Sequence, residues 1–251
     1  PRHHLYGESE LCKVLAMEGI EVQCILPAEV NLEQLEDAAN VKLNLVTHDY
    51  ALPLAEAMEE RFGVPMFKIY DSFAPDDLYA QLFAALELDI TAHTRAYLQA
   101  QKEAYLASRK QLGRKMERVS YIYGNTPLAP LPLNRYLAEL GMRPLLIQLS
   151  SIDHPSEVKA LLDQGVDPYL CKNANVAPLQ EVYPILKPQL YIGHEFARRL
   201  RAQGIHLMAL DQLGNLNGYE LLSSLHQMLE DAASEIAIIA QEMQGKEEKC
   251  G

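Results

Sequence analysis

The sequence has little of what marks the commonest functional classes. Four cysteines occur in 251 residues, Cys12, Cys24, Cys171 and Cys250, and none stands in a CxxC or CxH spacing. They read as reduced, mostly buried thiols of a cytoplasmic protein, and a cluster held entirely by cysteines of this segment is not expected. No apolar run reaches the roughly 18 residues that a membrane helix needs, so no membrane partner is expected. No secretory signal is visible, although the chain begins at Pro1 rather than Met. Basic residues number 22 against 34 acidic ones, a net charge of −12. Without a basic stripe to displace counterions, nucleic acid is not expected as a partner. GxGxxG, GxxxxGK[ST], HExxH and GxSxG are all absent, which sets aside nucleotide enzymes of the standard types.

What is present suits one large or two small domains: 49% hydrophobic and 22% charged residues. One phrase occurs twice. Leu43-Asn44-Leu45-Val46 is followed by a helical stretch to Phe62-Gly63-Val64-Pro65, and Leu190-Tyr191-Ile192-Gly193 by one to Gln203-Gly204-Ile205. Each reads as a buried strand, a crossover helix and a second parallel strand. Around the first copy, helices are expected at 8–18, 32–38 (capped by Asn31) and 50–62, with strands at 20–26, 41–46 and 65–70. Asp76 and Asp77 open a further helix, where carboxylates suit the positive end of the dipole. Residues 91–116 carry strong helix formers and no strand signal, a helix of roughly 37 Å at 1.5 Å per residue. Around the second copy, strands are expected at 119–124, 144–149, near 169, at 189–192 and at 206–210, with helices between them and a last helix over 219–243.

This alternation predicts an α/β chain: two Rossmann-like domains with parallel sheets flanked by helices, joined by a long helix. The expected boundaries are 1–90 for the first domain, 91–117 for the connecting helix, 118–244 for the second domain and 245–251 for a charged tail. In such sheets ligands bind outside the C-terminal ends of the strands, and two such domains are expected to bind in the cleft between them.

Filtering polar residues by strand ends leaves a short set of candidates. His48-Asp49 is the sharpest pair: His48 is a candidate metal ligand or proton donor, with Asp49 as orienter. The competing reading is a helix-cap segment in which Asp49 caps and His48 is merely exposed. His194 is a candidate proton donor or ligand, against a solvent-facing histidine at a helix start. Asp211 is a candidate orienter or cofactor contact, against an ordinary loop aspartate. Asn125, Asn217 and Gly218 are candidate cofactor contacts in turns, where the amides of the Gly/Asn-rich stretch 214–218 could hold an anion. Such loops also use these residues for positive φ. Asp153-His154-Pro155 reads as a turn before a helix.

Several phrases resemble the nitrogenase component 1 family. They are Asn44-Leu45-Val46 through Met58-Glu59-Glu60-Arg61-Phe62-Gly63-Val64-Pro65, Arg135-Tyr136-Leu137-Ala138-Glu139-Leu140-Gly141-Met142 after a Tyr-Gly strand end, Lys187-Pro188-Gln189-Leu190-Tyr191-Ile192-Gly193, and Gly218-Tyr219 before a long helix. They occur in order across nearly the whole chain. The resemblance implies the second and third of the family's three Rossmann-like domains. The first, which carries the bridging-cluster cysteines, has no counterpart, so the chain is expected to be a piece of a longer protein or a reduced member. The family implies an oxidoreductase subunit that binds a metallocofactor or reducible substrate. Its electrons come from an ATP-dependent iron–sulfur partner, and it pairs with a homologous component 1-like subunit as a homo- or hetero-oligomer. An iron–sulfur or related metal cluster is thus expected in the full assembly, with none securely ligated by this segment.

The departures are informative. Nitrogenase proper ligates its cofactor through a cysteine shortly after the Asn-Leu-Val strand, and this chain has Thr47, His48 and Asp49 there. The family's histidine ligand falls nearest Asp211. Nitrogen reduction is therefore not carried over, and His48 is the substitute ligand to test, because imidazole binds iron. Two alternatives stay open: a non-catalytic cofactor scaffold of the same architecture, and a two-domain metal or siderophore receptor with a helical spine.

Overall fold

A computed structural model describes the protein except residues 1–8, 27–29, 70–71, 125, 127, 129, 150–154, 173–175, 215 and 251, and except the side chains of residues 49, 130, 155, 157, 176–180 and 246–250. The chain divides into two compact units, one of residues 1–105 and 215–222, the other of residues 106–214 and 223–251.

The first unit contains α1 (Glu10–Met17), α2 (Leu32–Asp37), β1 (Asn44–Val46), α3 (Leu52–Phe62), β2 (Met66–Lys68), α4 (Pro75–Ala85) and the start of α5 (Ala92–Met116). Helix starts follow local chemistry. Ser9 Oγ accepts from Cys12 N at 3.3 Å, and Asn31 forms a reciprocal capping box with Gln34. The strand β1 pairs in parallel with β2, Asn44 opposite Met66 and Val46 opposite Lys68. Gly63 ends α3 at φ +71°, a conformation that costs side-chain-bearing residues about 1 kcal/mol. Residues 20–26 depart from expectation. They form no strand, only an isolated bridge at Ile25.

The second unit takes the rest of α5, then β3 (Ser120–Tyr123), α6 (Pro130–Glu139), β4 (Arg143–Leu149), α7 (Pro155–Leu162), β5 (Tyr169–Lys172), α8 (Val176–Leu186), β6 (Leu190–Ile192), α9 (Ala197–Ala202), β7 (His206–Met208) and most of α10 (Gly218–Cys250). Its sheet is parallel throughout, in the order β5-β4-β3-β6-β7. The central strands are apolar on both faces because helices cover both: Tyr121, Ile122, Tyr123, Leu190, Tyr191 and Ile192 are all buried. In chain order this is a 3-2-1-4-5 sheet, and the direction of winding reverses between β3 and β6. In open parallel sheets such a reversal is where ligands bind, outside the C-terminal tips of the two strands. The helix α10 continues past the Met243 at which the periodicity places its end.

Two buried polar clusters hold α10 in place, one in each unit. In the first, Glu10 Oε1 accepts from Tyr79 Oη at 2.5 Å and from Tyr219 N at 2.9 Å, so a carboxylate on α1 caps the N-terminus of α10. Glu220 Oε2 accepts from Glu10 N at 2.7 Å, and Tyr219 Oη donates to Asp76 Oδ1 at 2.5 Å. Lys102 Nζ completes the set at 2.8 Å from Asp76 Oδ2. Burial pushes the Glu10 carboxyl above the usual carboxylate range, against the hydrogen bond from Tyr79. In the second unit His226 on α10 lies between Ser108 of α5, 2.6 Å from its Nδ1, and the Tyr136 hydroxyl of α6 on its Nε2.

Candidate functional site

The strands β3, β6 and β7 end side by side, and backbone bonds hold their tips together. Gly124 N donates to Ile192 O at 2.7 Å, and Gly193 N to Met208 O at 3.0 Å. The register Ile192–Met208 then brings the residues just past β6 level with those just past β7. His194 and Asp211 occupy those positions. Their Nε2 and Oδ1 atoms lie 3.1 Å apart, and both side chains are about half exposed, at 57% and 45%. The carboxylate can only accept, so Nε2 carries the shared hydrogen. Nδ1 remains as the ring atom that takes or gives the second proton. The contact fixes one ring nitrogen of His194 on a carboxylate, the geometry a general acid–base histidine would need.

Behind this pair lies a layer of tyrosines. Tyr191 of β6 is fully buried and meets Tyr183 of α8 edge-on, ring centroids 5.8 Å apart. Tyr183 Oη donates to Glu195 Oε2 at 3.4 Å, while Glu195 Oε1 accepts from Phe196 N at 2.8 Å. Burial raises both phenols, so they stay protonated throughout the working pH range. Gly124 leaves room for the Tyr191 ring. A Cβ there would stand 2.8 Å from Tyr191 Cζ and closer still to the hydroxyl. Gly124→Ala is therefore expected to cost about 1–3 kcal/mol by overpacking, read as a lower urea midpoint, and to cost much less when made in a Tyr191→Leu background.

The other candidates sort by position. At the tip of β1, the His48 ring stacks on Tyr50 at 4.0 Å and its Nδ1 accepts from Tyr50 N at 3.4 Å. Asp49 opens the 3-10 turn that leads into α3, and its side chain is outside the described residues. His48 belongs to the first unit, His194 and Asp211 to the second. Asn125 lies outside the described residues. Asn217 is buried and borders a cavity of the first unit, and Gly218, at φ +65°, packs against Glu10 and Tyr79. The tyrosine layer escaped the sequence reading because Tyr183 lies mid-helix and Tyr191 within a strand, where only tertiary packing gives either a role. Among the described residues, no three His, Cys, Asp or Glu side chains gather closely enough to hold a metal ion, and no helix is long and apolar enough to cross a membrane.

A parallel α/β chain with an oriented histidine at its strand tips defines a general class. The comparisons narrow it. The family model for nitrogenase component 1 type oxidoreductases matches residues 7–211, and the chain belongs to that family. Two solved structures of nitrogenase Cp1 share its fold. The one at pH 6.5 has a TM-score of 0.72 and 14% identity, covering 90% of this chain and 56% of its own. The one at pH 5 has a TM-score of 0.68 and 17% identity, covering 93% and 54%. The chain thus spans about half the length of the solved structures it matches. No curated protein matches it.

Proposed function

We propose that the chain is part of a nitrogenase component 1-like oxidoreductase that presents a reducible substrate or metallocofactor at its strand tips, with His194 as proton donor. The observation that carries this is the His194–Asp211 contact of 3.1 Å at the tips of β6 and β7, next to the point between β3 and β6 where the winding of the sheet reverses. Adding electrons to a bound molecule builds negative charge, and a positioned imidazole relieves it by giving up the Nδ1 proton. Asp211 holds the ring by Nε2, which leaves Nδ1 as the atom that carries the transferred proton. Electrons come from an ATP-dependent iron–sulfur partner, and a homologous component 1-like subunit completes the assembly.

Among the described residues no three His, Cys, Asp or Glu side chains gather into a metal site. His48 is the donor this chain offers from the tip of β1, with Asp49 beside it in sequence. Asn217 and Gly218 shape the turn that opens α10, and Asn125, which follows β3 in sequence, is kept as a cofactor contact on the sequence reading alone. The test is hydrogen evolution by the anaerobically isolated assembly with reduced methyl viologen as electron source. His194→Ala is expected to lower the rate about 100-fold or more and Asp211→Asn about tenfold, with thermal stability unchanged because both side chains are half exposed. An undiminished rate in His194→Ala contradicts the assignment.

A further inference from the structure

The helix that follows the tip of β6 carries three arginines in a chain of net charge −12: Arg198, Arg199 and Arg201. Their surroundings differ. The Arg201 guanidinium is bound to the neighbouring helix α10, 3.1 Å from Glu235 and 2.8 Å from Glu242. Arg198 and Arg199 are exposed, and among the described residues neither has a carboxylate partner.

The sequence offers them one. Glu195 stands three residues before Arg198 and four before Arg199, the separations at which opposite charges meet on a helical stretch. The fold turns Glu195 the other way. Its Oε1 accepts from Phe196 N at 2.8 Å and its Oε2 from the hydroxyl of the buried Tyr183 at 3.4 Å. Arg199 lies instead over the Phe196 ring, its Cζ 5.2 Å from the centroid, and Phe196 is 70% exposed. Long side chains on a helix lean toward its N-terminus, which brings this guanidinium back toward the β6 tip. Two residues of chain span at most about 7 Å, so the Phe196 backbone stands within that distance of His194. An exposed ring and an unpaired guanidinium therefore sit together beside the imidazole. The ring stacks on flat unsaturated groups, and the guanidinium forks onto a carboxylate. A bare anion makes no use of Phe196, and an uncharged apolar molecule leaves Arg199 unmatched.

We propose that Phe196 and Arg199 form a recognition shelf for a flat, unsaturated carboxylate beside His194. The unsaturated part stacks on Phe196, and the carboxylate takes on Arg199 the place that Glu195 leaves vacant. The two side chains are thus specificity-determining residues. That the bound molecule is what His194 protonates rests on the proposed function; the binding itself does not.

The probe is 2-naphthoate, which joins a flat ring system to a carboxylate. It is titrated into the full chain at pH 7 while the Arg199 Nε–H and His194 ring resonances are followed by NMR. Both are expected to shift and to saturate together at about millimolar probe, the affinity that an exposed pair allows. Arg199→Gln is expected to weaken binding about tenfold and Phe196→Leu about fivefold. Arg201→Gln is expected to leave it unchanged, because Arg201 already has two partners. All three positions are exposed, so the variants keep the fold. 2-Naphthamide, with the same rings and no charge, is expected to bind about tenfold more weakly than 2-naphthoate. Unchanged binding in Arg199→Gln overturns the proposal. So does inorganic phosphate binding as tightly as 2-naphthoate, which identifies a general anion site. A shift at Arg199 that leaves His194 unmoved also overturns it, because the shelf then lies away from the imidazole. No electron transfer enters the titration. Binding as expected, together with an undiminished rate of hydrogen evolution in His194→Ala, therefore supports the shelf and faults the proton-donor reading alone.

Discussion

Gly218→Ala is expected to destabilise the first unit by about 3 kcal/mol or more, lowering Tm by about 10 °C. Two costs add. The residue sits at φ +65°, where any side chain is strained by about 1 kcal/mol. The new methyl group would also stand 2.6 Å from Tyr79 Oη and closer to Glu10 Oε1. Neither atom can retreat cheaply. Glu10 is 2% exposed, and the same Oε1 accepts from Tyr79 Oη and from Tyr219 N. Displacing it leaves a buried carboxylate and a helix terminus short of partners, at about 1–3 kcal/mol for each unsatisfied group. Gly63→Ala isolates the backbone part, because Gly63 has φ +71° and nothing within 4 Å of its Cβ position. That control is expected to lose only about 1 kcal/mol. Thermal unfolding of the two variants side by side reads the difference, and equal losses would remove the cap from the account.

Acidification is expected to weaken the second unit through His226. Burial, reinforced by the Arg109 charge, lowers its pKa from 6.5 to about 4. The unfolded chain therefore binds a proton below pH 6.5 that the folded chain refuses until about pH 4. Stability is lost as pH falls through that window, in total about 3 kcal/mol at 1.36 kcal/mol per pKa unit. The neutral ring offers one donor and one acceptor to the Ser108 and Tyr136 hydroxyls, so both its nitrogens are satisfied without a charge. His226→Gln keeps one donor and one acceptor without titrating. Urea unfolding at pH 7 and pH 4.5 is expected to show the variant weaker than the parent at pH 7 but flatter with pH. Glu10 acts with the opposite sign, since its raised pKa means the fold gains from protonation, but it is common to both chains and cancels. Parallel pH curves for the two chains would exclude the histidine as the cause.

Which features could be read from sequence follows from how local their causes are. The helix α5 is legible because 25 residues of strong helix formers need no tertiary information. The second sheet is legible because strands buried on both faces read as apolar runs such as Leu190-Tyr191-Ile192. Residues 20–26 carry an equally good strand pattern, yet strand formation depends on a neighbour that no local pattern reports. His194 and Asp211 stand out separately as strand-tip residues, whereas their pairing depends on the β6–β7 register. The Glu10 cap on α10 joins residues 209 apart in sequence, and His226 sits within a helix, away from any strand tip. Both are invisible until the chain folds.

The chain's place in reductive chemistry is tested most directly by isolating the tagged protein anaerobically from its own cells, with its partners, and measuring iron and acid-labile sulfide. The account predicts both, stoichiometric with the chain. An assembly free of iron and sulfide would contradict it.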